Sequence, residues 1–222
     1  MARPGSAGAR PAGDPTEITI GAVAEAALRV LRDGGPSALS FRRVAALLGT
    51  SHMTVHRLSR NLDGLLDLCA EHLAATLPEI DPGLPWAKAT EQRFAALYDV
   101  MSANSSLVAL QQGRPWLGDV MMRRFSEPAL ASSLAAGLTL EEMIRTHRTL
   151  YTFTVGCALT YETYDVRCGR VALAALDPEQ TPVLVAHRHR IAVDHLPRDD
   201  FLRGIRALID SSASRATARG HS

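Results

Sequence analysis

The sequence predicts an all-α protein, with an N-terminal three-helix helix-turn-helix domain followed by a larger helical domain. Apolar residues recur at three- and four-residue spacing through most of the 222 residues, which is the period of an amphipathic helix. Glycine and proline punctuate these stretches, as expected between helices. Neither strand-like alternation nor an internal repeat of about 20–50 residues occurs. The pattern therefore argues against sheet and solenoid architectures.

The first two predicted helices lie before Gly49. Apolar residues from Ile20 to Leu31 share one face of the first helix, and the sequence Gly34-Gly35-Pro36 ends it. Ser40 is a suitable N-cap for a second, shorter helix because its hydroxyl can accept a backbone N–H of the first turn. Gly49 ends that second helix abruptly.

Two further helices follow the glycine turn. The third begins near Ser51 or His52 and runs to Ser59, and Asn61 caps a fourth that continues to Pro78. A short helix, a tight turn and another short helix make up the helix-turn-helix arrangement. Taken alone, this arrangement also occurs in helical proteins that have no DNA partner.

A linker at residues 81–85, Asp-Pro-Gly-Leu-Pro, separates the fourth helix from the second domain. We predict a disordered arm at 1–15, a helix-turn-helix domain at 16–78, a second domain at 79–213 and a disordered tail at 214–222. Thr139 and Glu142 form a capping box at the start of the longest helix. The second domain is predicted to contain helices at 86–104, 107–112, 116–124, 127–136, 140–165, 179–194 and 199–212, with breaks at Gly113, Pro115, Pro128 and Gly137.

Composition predicts a cytoplasmic protein without a membrane partner. No run of about 18 uncharged apolar residues occurs, and the N-terminus lacks the apolar centre of a secretory signal. Cys69, Cys157 and Cys168 are too widely spaced for a disulfide framework or a structural zinc site, so we expect reduced, mostly buried thiols. The net charge is only +1, but the segment from Gly34 to Leu62 contains no Asp or Glu. Any attraction to nucleic acid must therefore be local.

The segment from Ile20 to Leu66 resembles the DNA-binding region of the TetR (tetracycline repressor) family in helix order and turn length. The residues that carry this resemblance are Ala26-Ala27, Gly34, Leu39, Leu47 to Gly49, Thr54 and Leu65-Leu66. Less specific similarity to that family's C-terminal domain extends over Gly113-Arg114-Pro115, Tyr151 to Leu159 and Phe201 to Ile209. The resemblance implies a transcriptional repressor that binds a palindromic operator in double-stranded DNA as a homodimer and is released by a small-molecule inducer.

In that family the third helix lies in the major groove, and neighbouring residues hold phosphates. This chain departs from the pattern at Ser59, where an aromatic or large apolar residue is usual, and at Leu62, where a phosphate-binding lysine is usual. Arg60 and the N-terminal dipole of the fourth helix are expected to offset the missing lysine. The resemblance assigns base contacts to His52, Met53 and Thr54, and further DNA contacts to Arg42, Arg43, Ser51, His56, Arg57 and Arg60.

The same resemblance places an inducer site between the middle helices and a dimer interface on the long and final helices. Close approach of the partner's helices is assigned to Gly156, Ala158, Gly204 and Ala207. The inducer-binding residues are predicted to be Phe94, Tyr98, Met101, Gln111, Arg114, Trp116, His147 and Tyr151, which combine apolar walls with polar tips. A stripe of methionine and aromatic residues is also typical of an ordinary core, and this alternative stays open.

Gln111 bears on the chemistry of the inducer. The resemblance places it where tetracycline-binding members carry a magnesium-ligating histidine, and a glutamine carbonyl is a weaker ligand than imidazole for a drug-chelated ion. We therefore predict a metal-free inducer that is apolar or aromatic, and no bound cofactor. The alternative is that Gln111 caps a helix end and the pocket lies elsewhere among the same helices.

Two other classes of function compete with this interpretation. An enzyme would need a catalytic or metal-binding constellation, and the best metal candidates, His187 and His189, diverge by about 200° on a regular helix. The second alternative is a helical ligand-binding or interaction protein with degraded DNA binding, which the departures at Ser59 and Leu62 allow.

Overall fold

A computed structural model describes residues 18–111, 114–163, 171–191 and 198–219, including side chains except at 161–163 and 214–219. All regular secondary structure in these ranges is helical, which confirms the predicted fold class. The predicted arm at 1–15, the break at Gly113 and the thiol of Cys168 lie outside the described residues.

The N-terminal part folds as four α-helices and one 3₁₀ turn in the predicted order. These are α1 (Ile20–Gly34), the 3₁₀ turn (Pro36–Ala38), α2 (Phe41–Leu47), α3 (His52–Ser59) and α4 (Leu62–Ala74). Each α-helix starts at a side chain that accepts a backbone N–H of the first turn, namely Thr19, Ser40, Ser51 and Asn61. These caps satisfy donors that a helix leaves unpaired, and they confirm the predicted starts of the second, third and fourth helices.

The core of this part lies between α1 and α4, with α2 and α3 packed on one another beside it. Val23, Ala27, Leu65 and Cys69 have no exposed surface. Burial raises the pKa of the Cys69 thiol to about 12, so this cysteine stays protonated and unreactive at neutral pH. Cys157 is also a buried free thiol, in agreement with the prediction for both residues.

The second domain is built around its three longest helices. Its elements are α5 (Trp86–Ser102), α6 (Ser105–Leu110), α7 (Asp119–Met121), a π turn (Met122–Ser126), α8 (Glu127–Ala135), α9 (Leu140–Thr163), α10 (Pro182–Ile191) and α11 (Arg198–Arg219). α5 packs against both α9 and α11. Phe94, Leu150, Phe201 and Ile205 are almost completely buried between these helices. This three-helix core supports the cavity described below.

The predicted break at Pro128 is wrong. The chain is helical without interruption from α7 through the π turn into α8. Proline has no N–H to donate to the carbonyl four residues earlier, and the π turn, which ends at Ser126, accommodates that loss. The helix predicted at 116–124 starts later, because Trp116 lies in an irregular segment and Gly118 precedes the first turn.

The ends of several helices differ from their predicted positions. Glu142 accepts the backbone N–H of Thr139 at 3.0 Å and donates its own N–H to the Thr139 hydroxyl at 3.3 Å, which confirms the predicted capping box. α4 ends at Ala74 rather than at Pro78, and α11 continues to Arg219 through the predicted tail. The sequence from Ser211 to Arg219 contains alanine and arginine but neither glycine nor proline, so nothing in it stops the helix.

Candidate functional site

The surface around α3 combines exposed polar and basic side chains. Its exposed residues are His52, Met53, His56 and Arg57. Met53 presents 61% of its surface although it is apolar, and an exposed methionine on a short helix is suited to contact a partner. Val55, on the opposite face of α3, is fully buried and anchors the helix. One face of α3 is therefore exposed to a partner, while the opposite face packs against the core.

Ser51 and Thr54 form a local pair at the start of α3. The Ser51 Oγ accepts the backbone N–H of Thr54 at 3.2 Å and lies 3.1 Å from the Thr54 hydroxyl. The Ser51 side chain caps α3 and is exposed, and its predicted contact with DNA stays a prediction. Its structural role is to position Thr54, which is half-buried and keeps part of its side chain at the surface.

The other predicted DNA contacts divide between projecting and packed side chains. Arg42 is exposed on α2. The guanidinium of Arg43 lies over Gly34 at the C-terminal end of α1, a favourable place for a cation near a helix dipole. The ring of His56 packs edge-on against Phe41, with 5.5 Å between ring centroids, so α2 and α3 restrict its orientation.

A strained turn joins α3 to α4. Arg60 has a positive φ of 66° and a ψ of −49°, and the N–H of Asn61 donates to the carbonyl of Ser59 at 2.8 Å, which makes a γ-turn. Ser59 itself is buried, and its hydroxyl donates to the Val55 carbonyl at 2.9 Å. The small residue at position 59 thus fits a tight junction, whereas Leu62 is exposed at the first position of α4. The tight turn leaves Arg60 at the surface beside α3.

Arg60→Gly should stabilise the fold while weakening attraction to DNA. Glycine adopts a positive φ without the steric cost of a side chain, so we expect the free energy of unfolding to rise by about 1–2 kcal/mol. Loss of the cation should lower the slope of log affinity against log salt by about 1.8 in a dimer, or about 0.9 per phosphate contact. Arg60→Ala is the control: it should lower the slope equally without stabilising the fold. An unchanged slope in both variants would remove Arg60 from the phosphate contacts.

A cavity of about 620 Å³ lies in the second domain, beside α4. Six of the eight predicted inducer-binding residues line it: Met101, Gln111, Arg114, Trp116, His147 and Tyr151. Met122 and Ser126, from the π turn, complete part of the wall and were not predicted. Sequence patterns do not predict a π turn, so these two residues could not be assigned before the backbone was known. Such turns often lie at functional sites.

Phe94 and Tyr98 do not line this cavity. Phe94 is 1% exposed, and its ring packs edge-on against Phe125 with 5.1 Å between the ring centroids. The ring of Tyr98 stacks on that of Phe201 with 4.1 Å between the centroids. Both rings belong to the core between the helices, which was the alternative interpretation of the aromatic stripe. Helical periodicity identifies the buried face of α5, but it cannot separate core residues from cavity-lining residues on that face.

His147 joins the cavity to an aromatic cluster. Its ring lies 5.9 Å from Phe94, 6.0 Å from Phe125 and 6.5 Å from Tyr151, measured between centroids. Burial, and after it the positive charge of Arg93, lowers the pKa of His147, so the imidazole is neutral at pH 7. Neutral imidazole has one donor and one acceptor nitrogen. His147 can therefore orient a ligand by hydrogen bonding.

Gln111 and Arg114 connect the cavity to α4. The Gln111 amide donates to the Leu66 carbonyl at 3.3 Å, while its buried Oε1 has no partner among the described residues. Arg114 pairs with Asp63 at 2.9 Å and with Asp67 at 3.0 Å. Both residues line the cavity as predicted, but they also hold α4, and the charge of Arg114 is already balanced.

Glu71, on α4, makes a second connection that sequence reasoning missed. Its carboxylate accepts the backbone N–H groups of Val120 at 2.8 Å and Met121 at 3.3 Å. A carboxylate at the N-terminus of a helix satisfies free donors and interacts favourably with the helix dipole. Arg124, from the π turn, donates to the Leu77 carbonyl at 2.9 Å beyond the end of α4. α4 is thus tied to α6, α7 and the π turn.

Comparison with known proteins identifies the family. The model of the tetracyclin repressor-like C-terminal domain matches residues 77–198, which is more than half of the chain. The chain belongs to the TetR family of transcriptional regulators. It is 30% identical over 155 residues to the HTH-type transcriptional repressor DrrR1 of Streptomyces coeruleorubidus, covering 68% of this chain and 57% of DrrR1. The chain therefore spans little more than half the length of that TetR-type relative.

Solved structures of another TetR-family protein, ActR from Streptomyces coelicolor, are similar over nearly the whole chain. Apo ActR superposes with a TM-score of 0.73 at 25% identity and covers 91% of this chain and 98% of its own. ActR in complex with actinorhodin superposes with a TM-score of 0.72 at 26% identity, covering 90% and 99%. The similarity includes both the helix-turn-helix and the C-terminal domain.

The small residues predicted at the TetR-type dimer interface have different surroundings. Gly156 is exposed on α9 with open space where a Cβ would lie. Ala158 is fully buried, so it packs in its own subunit and cannot face a partner. At Gly204 a Cβ would lie 2.4 Å from the ring of Phe153, so this glycine makes room for an aromatic side chain of the same chain. Ala207 is exposed on α11. The assignment of Gly156 and Ala207 to a dimer interface stays a prediction.

His187 and His189 are exposed on α10, and no three His, Cys, Asp or Glu side chains within the described ranges are grouped as metal ligands. Among the described helices, none is both long and apolar enough to span a lipid bilayer.

Proposed function

We propose that this TetR-family chain is a transcriptional repressor that binds a palindromic operator as a homodimer in the cytoplasm and is released by a small-molecule inducer. The observation that carries the proposal is the position of α4. This helix packs against the helix-turn-helix core, and its Leu66 carbonyl accepts a hydrogen bond from Gln111 in the cavity wall. A ligand in the cavity can therefore act on the orientation of α3.

Operator binding is supported by the exposed face of α3 and the absence of acidic residues from Gly34 to Leu62. The acid that follows this segment, Asp63, is paired with Arg114, which reduces its repulsion of a phosphate backbone. We assign base contacts to His52, Met53 and Thr54, and phosphate contacts to Arg42, Arg57 and Arg60. A dimer would place two copies of α3 about 34–36 Å apart, as successive major grooves require.

The cavity suits an inducer of drug size. Its volume lies within the usual range for small-molecule sites of about 300–1,000 Å³. Trp116, Tyr151 and Met101 provide apolar or aromatic walls, while His147 and Gln111 offer hydrogen bonds. The complex of ActR with actinorhodin supports a ligand-binding role for this domain. We therefore propose an aromatic inducer that binds without a metal ion.

Release follows from a difference in affinity between two orientations of α4. A ligand that moves α6, α7 or the π turn changes the hydrogen bonds to Leu66 and Glu71 on α4 and to Leu77 beyond its end, and so tilts α4. The tilt alters the spacing of the two recognition helices. The inducer shifts the population only to the extent that it binds the mis-spaced state more tightly.

A mobility-shift assay with duplexes flanking the protein's own gene tests operator binding. We expect one retarded dimer complex, with alanine at His52 or Thr54 relaxing base preference by about 1–3 kcal/mol at one position per half-site. His187→Ala, at an exposed histidine on α10, is the control and should change nothing. Equal weakening at every base position would contradict the assignment of base contacts. A monomer by light scattering, or no binding to any duplex, would favour a helical interaction protein instead.

A further inference from the structure

Met53 is an apolar side chain at the centre of the exposed face of α3. It presents 61% of its surface to solvent. Successive residues of an α-helix are turned by about 100°, so His56 lies about 60° to one side of Met53 and Arg57 about 40° to the other. Both flanking residues are exposed, whereas Val55 is fully buried on the opposite face. The exposed face of α3 therefore has an apolar centre and polar or basic sides.

The position of Met53 gives its exposure a meaning that a lone apolar residue on an ordinary surface would not have. It lies on the helix to which we assign operator binding, within the segment from Gly34 to Leu62 that contains arginines but no Asp or Glu. The other apolar residues of α3 are Val55, which is buried, and Leu58, which is half-buried. Met53 is thus the apolar residue that α3 presents to a duplex.

The major groove of DNA has a matching arrangement of chemical groups. Phosphates line both edges of the groove, and base pairs present their edges along its floor. A helix whose exposed face is directed at the floor brings Arg57 towards a phosphate-lined edge and Met53 towards the bases. Guanine, cytosine and adenine present hydrogen-bonding groups there, whereas thymine also presents its C5 methyl group. A thioether is only a weak acceptor, so Met53 matches the methyl group rather than the polar atoms.

We propose that Met53 contacts the C5 methyl group of one thymine in each operator half-site and so selects thymine at that position. This inference rests on the proposed function, because it names the chemical group that α3 recognises. Contact removes apolar surface of both groups from water, and burial of one methyl group corresponds to about fourfold in affinity. Two half-sites in one dimer complex therefore give about 15-fold. Hydrogen bonds from His52 or Thr54 cannot supply this selectivity, because they do not involve the methyl group.

Uracil in place of thymine tests the proposal, because it removes the methyl group and leaves the hydrogen-bonding atoms of the base in place. The full-length protein is titrated by fluorescence anisotropy with the duplex that gives the retarded complex, and with versions in which one symmetry-related pair of thymines at a time is replaced with uracil. At one such pair, the wild type should bind the uracil duplex about 15-fold more weakly. Met53→Ala should bind the two duplexes equally. Met53→Leu, which keeps an apolar side chain of similar size, should retain the difference.

Leu47→Ala is the matched control. Leu47 is also apolar and is 49% exposed, but it lies at the last position of α2 rather than on the exposed face of α3. This variant should retain the whole preference for thymine. Urea unfolding of Met53→Ala should match that of the wild type, because truncation of an exposed side chain leaves no cavity in the core.

Each other outcome counts against the inference. Equal binding of every uracil duplex by the wild type would overturn it while leaving operator binding intact. A preference that survives Met53→Ala, or disappears in Leu47→Ala, would assign the selectivity to another side chain. Loss of the preference in Met53→Leu would show that an apolar contact is not its cause. If the wild type binds no thymine duplex at all, the proposed function itself is contradicted.

Discussion

Replacing Gly64 with alanine should lower operator affinity by about 100-fold, although the same change inside a helix normally stabilises a protein by about 1 kcal/mol. Gly64 lies in the first turn of α4, and a Cβ there would be 2.0 Å from the carbonyl oxygen of Ser59. That oxygen belongs to the γ-turn at Arg60, so it cannot rotate away as a side chain would. To admit the methyl group, α3 and α4 must move apart.

The expected 100-fold loss of operator affinity follows from the presence of two substituted subunits in a dimer. A strain of about 1.4 kcal/mol per subunit corresponds to tenfold in affinity, and both subunits must adopt the strained geometry to occupy one operator. The free energy of unfolding should also fall by about 1–3 kcal/mol, as for other overpacked sites. Both quantities can be measured, by fluorescence anisotropy with the operator duplex and by urea unfolding.

Gly21→Ala is the matched control. Gly21 is exposed in the first turn of α1, and its Cβ would meet only the Thr19 hydroxyl oxygen, at 3.9 Å. This alanine should leave operator affinity unchanged and should not destabilise the fold. If Gly64→Ala also binds the operator normally, the junction between α3 and α4 does not fix the position of the recognition helix.

The N-terminal domain is largely predictable from the sequence because its determinants are local. Ser40, Ser51 and Asn61 each cap a helix through a donor three residues ahead, so the helix starts can be inferred from short segments. The γ-turn at Arg60 is not predictable in this way. A positive φ at arginine contradicts ordinary preferences, and only the contact between α3 and α4 imposes it.

The cavity is less predictable because its chemistry depends on contacts between distant segments. Gln111 reaches Leu66 across 45 residues, and Glu71 reaches Val120 across 49. Periodicity indicates that Arg93 is on α5, but not that the core surrounds it. The family resemblance suggests polar tips at Gln111 and Arg114, yet it does not show that both side chains are already engaged with α4.

The contact between Glu71 and the start of α7 should carry much of the response to the inducer. Its carboxylate accepts two backbone N–H groups, and hydrogen bonds to charged groups contribute about 1.5–3 kcal/mol each. Glu71→Ala should therefore uncouple the cavity from α4. In the wild type we expect the operator to weaken inducer binding by about 5–150-fold, the usual range of coupling between sites, and in Glu71→Ala this factor should fall towards 1. The assay is a titration with an anthraquinone ligand that releases the operator, with and without the duplex.

Gly118→Ala tests the same contact from the opposite side without removing a charge. A Cβ at Gly118 would lie 2.1 Å from the Glu71 Oε1, while the backbone there, at φ −70° and ψ 163°, accepts alanine without strain. The new methyl group should displace the carboxylate, so Gly118→Ala and Glu71→Ala should reduce the coupling alike. Glu141→Ala, which removes an exposed ion pair to Arg145, should leave it intact because such pairs contribute little. Coupling that persists in both Glu71→Ala and Gly118→Ala would mean that the signal reaches α4 through Gln111 or Arg114 instead.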